Sequence, residues 1–165
     1  GGHLQPILDT LEYLKKETSV WLEVTTLLIP GENDSPAELE RLTQWIFETL
    51  GPEVPLHFSA FHPDYKLRDK LGTPLETLLR AREIARQAGL HYVYTGNVRH
   101  REGDTTFCPG CGEALIVRDG YNLIEYQLDH DVCRKCRSKI PGLYEARPGT
   151  WGARRLPVRL ADFSR

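Results

Sequence analysis

Four cysteines fall into two pairs, Cys108-Pro-Gly-Cys111 and Cys133-Arg-Lys-Cys136, with residues 112 to 132 between them. Each pair bends the chain so that two thiolates face one point, and two such knuckles offer four sulfurs to one tetrahedral ion. Cys108, Cys111, Cys133 and Cys136 are therefore read as one metal set. Zn2+ is the ordinary occupant of a closed four-thiolate site, although tetrahedral sulfur also admits iron. Gly110 and Gly112 suit the tight turns that aim backbone amides at sulfur.

The remaining chemistry-bearing residues are more scattered. Phe61-His62-Pro63-Asp64-Tyr65-Lys66 follows the C-terminal end of an expected strand, where open α/β folds place their ligands. A histidine, an aspartate and a lysine there suit a carboxylate, a ribose or a phosphate. Pro30-Gly31-Glu32-Asn33-Asp34 and Tyr94-Thr95-Gly96-Asn97 end two other strands, so three polar loops converge on one rim. No nucleophile elbow, HExxH, P-loop or dinucleotide fingerprint is present. Glu23 has no second acid at an equivalent depth, so paired-carboxylate chemistry is not specified.

These residues need elements to hold them. Leu4, Ile7, Leu8, Leu11 and Leu14 recur at helical spacing and predict a helix over residues 5–16 with one buried stripe. Trp21 to Ile29 is rich in β-branched and large apolar residues and predicts a strand, ended by Pro30-Gly31. Ser35-Pro36-Ala37-Glu38 is a helix start, with a hydroxyl cap, a proline where no amide hydrogen is needed and Glu38 placed to close a capping box. Leu39, Leu42, Ile46 and Leu50 then face inward until Gly51. Leu56 to Phe61 predicts the next strand, Thr73-Pro74-Leu75-Glu76 a second helix start of the same kind, and His91 to Thr95 a third strand. The helix between is expected to bury Leu75, Leu78, Ala81, Ile84 and Ala85 and to stop at Gly89.

Strand, helix, strand, helix, strand implies a parallel sheet with both helices on one face. Alternation places Trp21, Glu23, Thr25 and Leu27 on the other face, beside His57, Ser59 and Phe61 and then His91, Val93 and Thr95 or their neighbours. A dry core seldom accepts an unpaired glutamate, whereas a ligand cavity or a hydrogen-bonded edge cluster does. Such a sheet with one naked face and an open edge needs cover, from missing strands or from a second copy of the chain. Beyond Arg99 the βα rhythm stops. Glu113 to Arg118 and Tyr121 to Gln127 are expected to pair as a hairpin around Asp119-Gly120. The last stretch, with Arg154, Arg155 and Arg159, reads as an irregular arm whose arginines are solvated or paired within the chain.

The expected fold class is thus α/β: a partial (βα) barrel fragment with parallel strands over residues 1–98, a small cysteine-rich zinc-ribbon-like subdomain over 99–144, and an arm over 145–165. At 165 residues the chain is too short for an eight-unit barrel of roughly 250. Its formal net charge of -2, made more negative by four thiolates on one divalent ion, predicts no nucleic-acid partner. No apolar run approaches the roughly 20 residues of a membrane span, so no membrane partner is expected. Paired knuckles favour a reducing cytoplasm over disulfides. The chain lacks methionine and starts Gly1-Gly2, which fits either a processed start or a fragment of a longer protein.

Taken together, Trp21 to Ser35, Pro55 to Lys66, Tyr92 to Asn97 and Cys108 to Gly112 resemble the C-terminal part of radical S-adenosylmethionine enzymes related to pyruvate formate-lyase activating enzyme. The pattern is similar in particular to the AmmeMemoRadiSam system radical SAM enzyme family. That resemblance implies an open partial barrel whose full-length parent binds S-adenosylmethionine and an iron–sulfur ([4Fe-4S]) cluster and makes a 5′-deoxyadenosyl radical. It implies cofactor-binding roles for Leu28, Pro30, Gly31, His57, His62 and Asn97, with Leu28 to Gly31 near adenine and His62 near the nucleoside or methionine portion. The CxxxCxxC loop that anchors such a cluster is missing here, so this chain alone is expected to be inactive. Its partner would be the absent N-terminal barrel half, with a protein as the candidate substrate. The alternative expectation is a zinc-stabilised protein-interaction module without catalysis.

Overall fold

A computed structural model describes residues 2–149, so the arm with Arg154, Arg155 and Arg159 lies outside the described residues. Helix α1 spans Leu4–Glu17, strand β1 Val24–Leu28 and helix α2 Pro36–Trp45. The helix of α2 widens into a π-helical turn, Ile46–Leu50, which ends at Gly51 with φ 93°. Only a residue tolerant of the left-handed region reverses the chain there at low cost. Strand β2 (Leu56–Ala60), helix α3 (Leu75–Gln87) and strand β3 (Val93–Gly96) complete the βα part.

The three strands are parallel in the order β1-β2-β3, with Thr25 opposite His57 and His57 opposite Tyr94. Helices α2 and α3 lie side by side on one face. Beneath them Leu28, Leu56 and Phe58 meet Leu39, Ile46, Leu78, Ala81 and Ala85 in one buried cluster. Each large side chain hidden there contributes about 1.5–3 kcal/mol of transfer free energy. Among the described residues no closed barrel forms.

Ser35 caps α2 as the sequence predicts, its hydroxyl accepting from the Glu38 amide at 3.4 Å. The start of α3 differs. Pro74 is its capping residue and no side chain caps it. The Thr73 hydroxyl instead accepts from the Phe61 amide at 2.9 Å and donates to the Leu28 carbonyl at 2.5 Å. A buried hydroxyl goes to the backbone groups that would otherwise stay unpaired, and here those are the ends of two strands. Leu75 is only half-buried, whereas Arg82 is 7% exposed, donating from Nε to the Val93 carbonyl at 3.1 Å and from Nη1 to Glu102 at 3.0 Å.

Helix α1 has no fully buried residue. Leu8, Leu11 and Leu14 are half-buried, while Leu4 and Ile7 face solvent, so the expected buried stripe is only partly covered. On β3 the face assignment shifts by one residue. Val93 points to the helices, and its neighbour Tyr94 shares the open face with His57.

The second part of the chain is a small antiparallel assembly. Strands β4 (Thr106–Phe107), β5 (Ala114–Asp119) and β6 (Asn122–Tyr126) form one sheet, and β7 (Leu128–Asp129) pairs with β8 (Val132–Cys133). Asp119 pairs with Asn122, so the hairpin turns on Gly120 and Tyr121, with Gly120 at φ 57°. Leu115, Ile116, Leu128 and Ile140 make a second buried cluster with Cys108 and Cys133, and Tyr92 joins it from the edge of the first sheet.

Candidate metal centre

The two knuckles are built alike. The Gly112 amide donates to the Cys108 carbonyl at 2.9 Å and the Cys108 amide to the Glu113 carbonyl at 2.8 Å. In the second, the Arg137 amide donates to the Cys133 carbonyl and the Cys133 amide to the Ser138 carbonyl, each at 2.9 Å. Both turns close on a residue of positive φ, Gly112 at 72° and Arg137 at 65°. Glycine adopts this conformation freely; for arginine it costs about 1–2 kcal/mol. Gly110 is required by space, because a Cβ there would stand 2.5 Å from the Ser138 hydroxyl.

The repeat brings four sulfurs together, all within 4.8 Å of one another. Cys108 Sγ lies 3.5 Å from Cys136 Sγ, and Cys111 Sγ 3.8 Å from Cys133 Sγ. A tetrahedron of sulfurs at about 2.3 Å from a central ion has edges of about 3.8 Å. A disulfide would need about 2.05 Å, and all four cysteines are free. The donor set thus fits one tetrahedral ion. In a [4Fe-4S] cluster each of four thiolates holds a different iron, which spreads the sulfurs further than the edges of a single tetrahedron.

Protonation is uneven across the set. Burial pushes the Cys108 thiol up. At Cys111 the Glu113 amide favours the thiolate, but burial and the crowding of Cys136, Cys108 and Cys133 outweigh it and push the thiol up to about 12. The Ser138 hydroxyl, 3.1 Å from Cys136, and the Ser138 amide draw that thiol down to about 6. One sulfur is ready as a thiolate, and others surrender protons only to a cation. Lys135, paired with Glu113 at 2.6 Å, adds positive charge beside the set.

The loop residues proposed from sequence occupy ordinary positions. Leu28 is fully buried in the helix-side core, so its side chain cannot face a rim ligand. Asn33 accepts from the Ile29 amide and donates to the Leu27 carbonyl, Asp34 accepts from the Gly31 amide, and Glu32 is paired with Lys70. The polar groups beside Pro30 and Gly31 therefore fold their own loop. Asn97, at φ 61°, ties the Ala60 carbonyl to the end of β3 at 3.2 Å. His62 is exposed. Only His57 joins a cluster: its Nε2 meets Glu23 Oε2 at 2.9 Å, and its ring stacks on Tyr94 with centroids 5.0 Å apart. Tyr94 was named from sequence only as part of a rim loop, and Arg118 was not singled out; strict alternation from His57 across the parallel register leads to Tyr94.

No family model matches the chain. An uncharacterized protein of Methanocaldococcus jannaschii is 45% identical over 139 residues, which is 83% of this chain and 41% of that relative. The chain therefore spans about two fifths of the relative's length. These findings correct the radical S-adenosylmethionine resemblance and the iron–sulfur chemistry attached to it. The cysteines form one four-sulfur site rather than a three-cysteine cluster loop, and neither comparison leads to that family. Among the described residues no helix is long and apolar enough to cross a membrane.

Proposed function

We propose that this chain is a zinc-stapled interaction module whose uncovered flank receives further strands of polypeptide. Zinc is the ion because a closed site of four thiolates with no open position suits a structural, redox-silent cation. The partner reading rests on where the apolar surface lies. Leu27 on β1, the strand at the end of the sheet, and Val20 and Trp21 just before it are 44–61% exposed, as are Leu4 and Ile7 on α1, the helix that precedes that strand, at 54–69%. That strand has no neighbour on its outer edge among the described residues.

An unpaired edge beside an apolar helix face is the arrangement a further βα unit completes. The sheet is then an arc of a larger parallel sheet or partial barrel, and its cover is another portion of a longer polypeptide. More than half of the M. jannaschii relative lies outside the match, which supplies such a candidate. A thiolate-held zinc suits a reducing compartment such as the cytoplasm.

Sedimentation velocity on the zinc-loaded chain, alone and mixed with the unmatched portion of that relative, tests this reading. A stable complex with the added portion is expected, lost in an Ile7→Lys, Leu27→Lys double variant; self-association sensitive to the same substitutions would name a second copy as the cover. A compact monomer that ignores the added portion and binds no hydrophobic dye would overturn the proposal.

A further inference from the structure

A cleft of about 740 Å³ lies between the open sheet face near β3 and the cysteine-bearing part of the chain. Its size falls within the range of small-molecule sites, roughly 300–1,000 Å³. His57 and Tyr94, whose near-parallel rings stack on each other, form one wall, with Glu23 holding the imidazole at 2.9 Å. Ile116, Arg118 and Tyr144 line it from the other part.

Two side chains of this cleft keep bonding capacity that the described residues do not use. Tyr92 is only 4% exposed, and its hydroxyl has no hydrogen-bond partner among the described residues. A buried hydroxyl left alone costs about 1–3 kcal/mol, so an orphan in a cleft wall marks a place for a partner. Arg118 forms no ion pair among the described residues. Its Nη1 donates to the Asp104 carbonyl at 2.9 Å and to the Thr106 hydroxyl at 3.0 Å, both uncharged, and its guanidinium stands 5.9 Å from the Tyr94 ring centre. Tyr94 and Thr106 are themselves joined at 2.9 Å, so the cation is fixed against the sheet. Asp104 is close enough to feel this charge but makes no ion pair with it, so the fixed guanidinium can still receive an anion.

We propose that this cleft binds a small organic monoanion with a planar ring: its carboxylate meets Arg118, its ring lies against the His57 and Tyr94 wall, and the Tyr92 hydroxyl bonds to it. A multiply charged phosphate is disfavoured, because Glu23 and Asp104 also line the cleft and one guanidinium offsets one charge. Because the cleft has one wall in each part of the chain, it exists only while the metal holds the second part in place.

Benzoate and indole-3-acetate, each beside its primary amide, are the probes. They are titrated into the metal-loaded full chain while backbone amide resonances are followed. Saturable shifts confined to the cleft are expected, with the carboxylates about tenfold tighter than the amides. Arg118→Gln should erase that preference. Tyr92→Phe should weaken carboxylate binding while leaving thermal stability equal or higher, a split that a purely structural role for the hydroxyl would not produce. If Arg118→Gln fails to retain metal, Arg118→Lys and Tyr92→Phe carry the test. Absence of saturable shifts at millimolar probe, equal affinity for acid and amide, or unchanged binding in the variants would overturn the proposal.

Discussion

Among the four cysteines, Cys136 alone is drawn below the usual thiol range, by the Ser138 hydroxyl and amide, while burial and crowding raise Cys108 and Cys111. The consequence for metal binding follows from proton bookkeeping. A thiol that is protonated without metal and ionised with it has its pKa depressed by binding, so the stabilisation is present at high pH and lost as pH falls. With protons to displace from at least Cys108 and Cys111, zinc affinity should fall about hundredfold or more per pH unit below neutrality. The fall should steepen as Cys136 also begins to protonate near 6. Competition titrations with a chromophoric chelator at several pH values would show this slope; affinity independent of pH would mean that the ion is not held by these thiolates. This residue-level pattern was legible because ligand spacing and the glycine turns are local. The repeated knuckle was less so, since Arg137 takes at 65° the role that Gly112 takes at 72°.

Elements were readable where their signals were local and were missed where a side chain was committed to a distant backbone group. Helix α2 begins where Ser35, Pro36 and Glu38 say it should, because a cap needs only its own first turn. Thr73 has the same sequence context but a different role, fastening the Leu28 carbonyl of β1 and the Phe61 amide following β2. Thr73→Val should therefore cost about 2–3 kcal/mol by leaving two backbone groups unpaired, with helical content unchanged and Thr73→Ser close to the parent. Urea unfolding of the three proteins measures it, and a valine variant as stable as the parent would refute the assignment. Arg82 escaped notice for a similar reason, since its partners are Val93 and Glu102 on later segments. In the polar rim after β1, Asn33 and Asp34 are hydrogen-bonded within their own loop, a local use that their sequence context did not reveal.

At the scale of the whole molecule, two buried clusters of different origin share one chain. The first is helices on a parallel sheet; the second is a few short strands whose apolar centre includes two of the ligands, Cys108 and Cys133. So small a core relies on its ion for much of its stability. The alternation of apolar residues made the one-sided sheet legible, and among the described residues that face is met by the second part of the chain near β3, through Tyr92 and Tyr94. The cleft against it was not, because Tyr94, Thr106 and Arg118 come together only through tertiary packing. The measurement that bears most directly on this account is metal analysis of protein purified under reducing conditions, combined with the optical spectrum after cobalt substitution. One zinc per chain and the intense sulfur-to-cobalt bands of a tetrahedral four-thiolate site are predicted. Several irons with sulfide per chain, or a metal-free protein with its cysteines in disulfides, would contradict it.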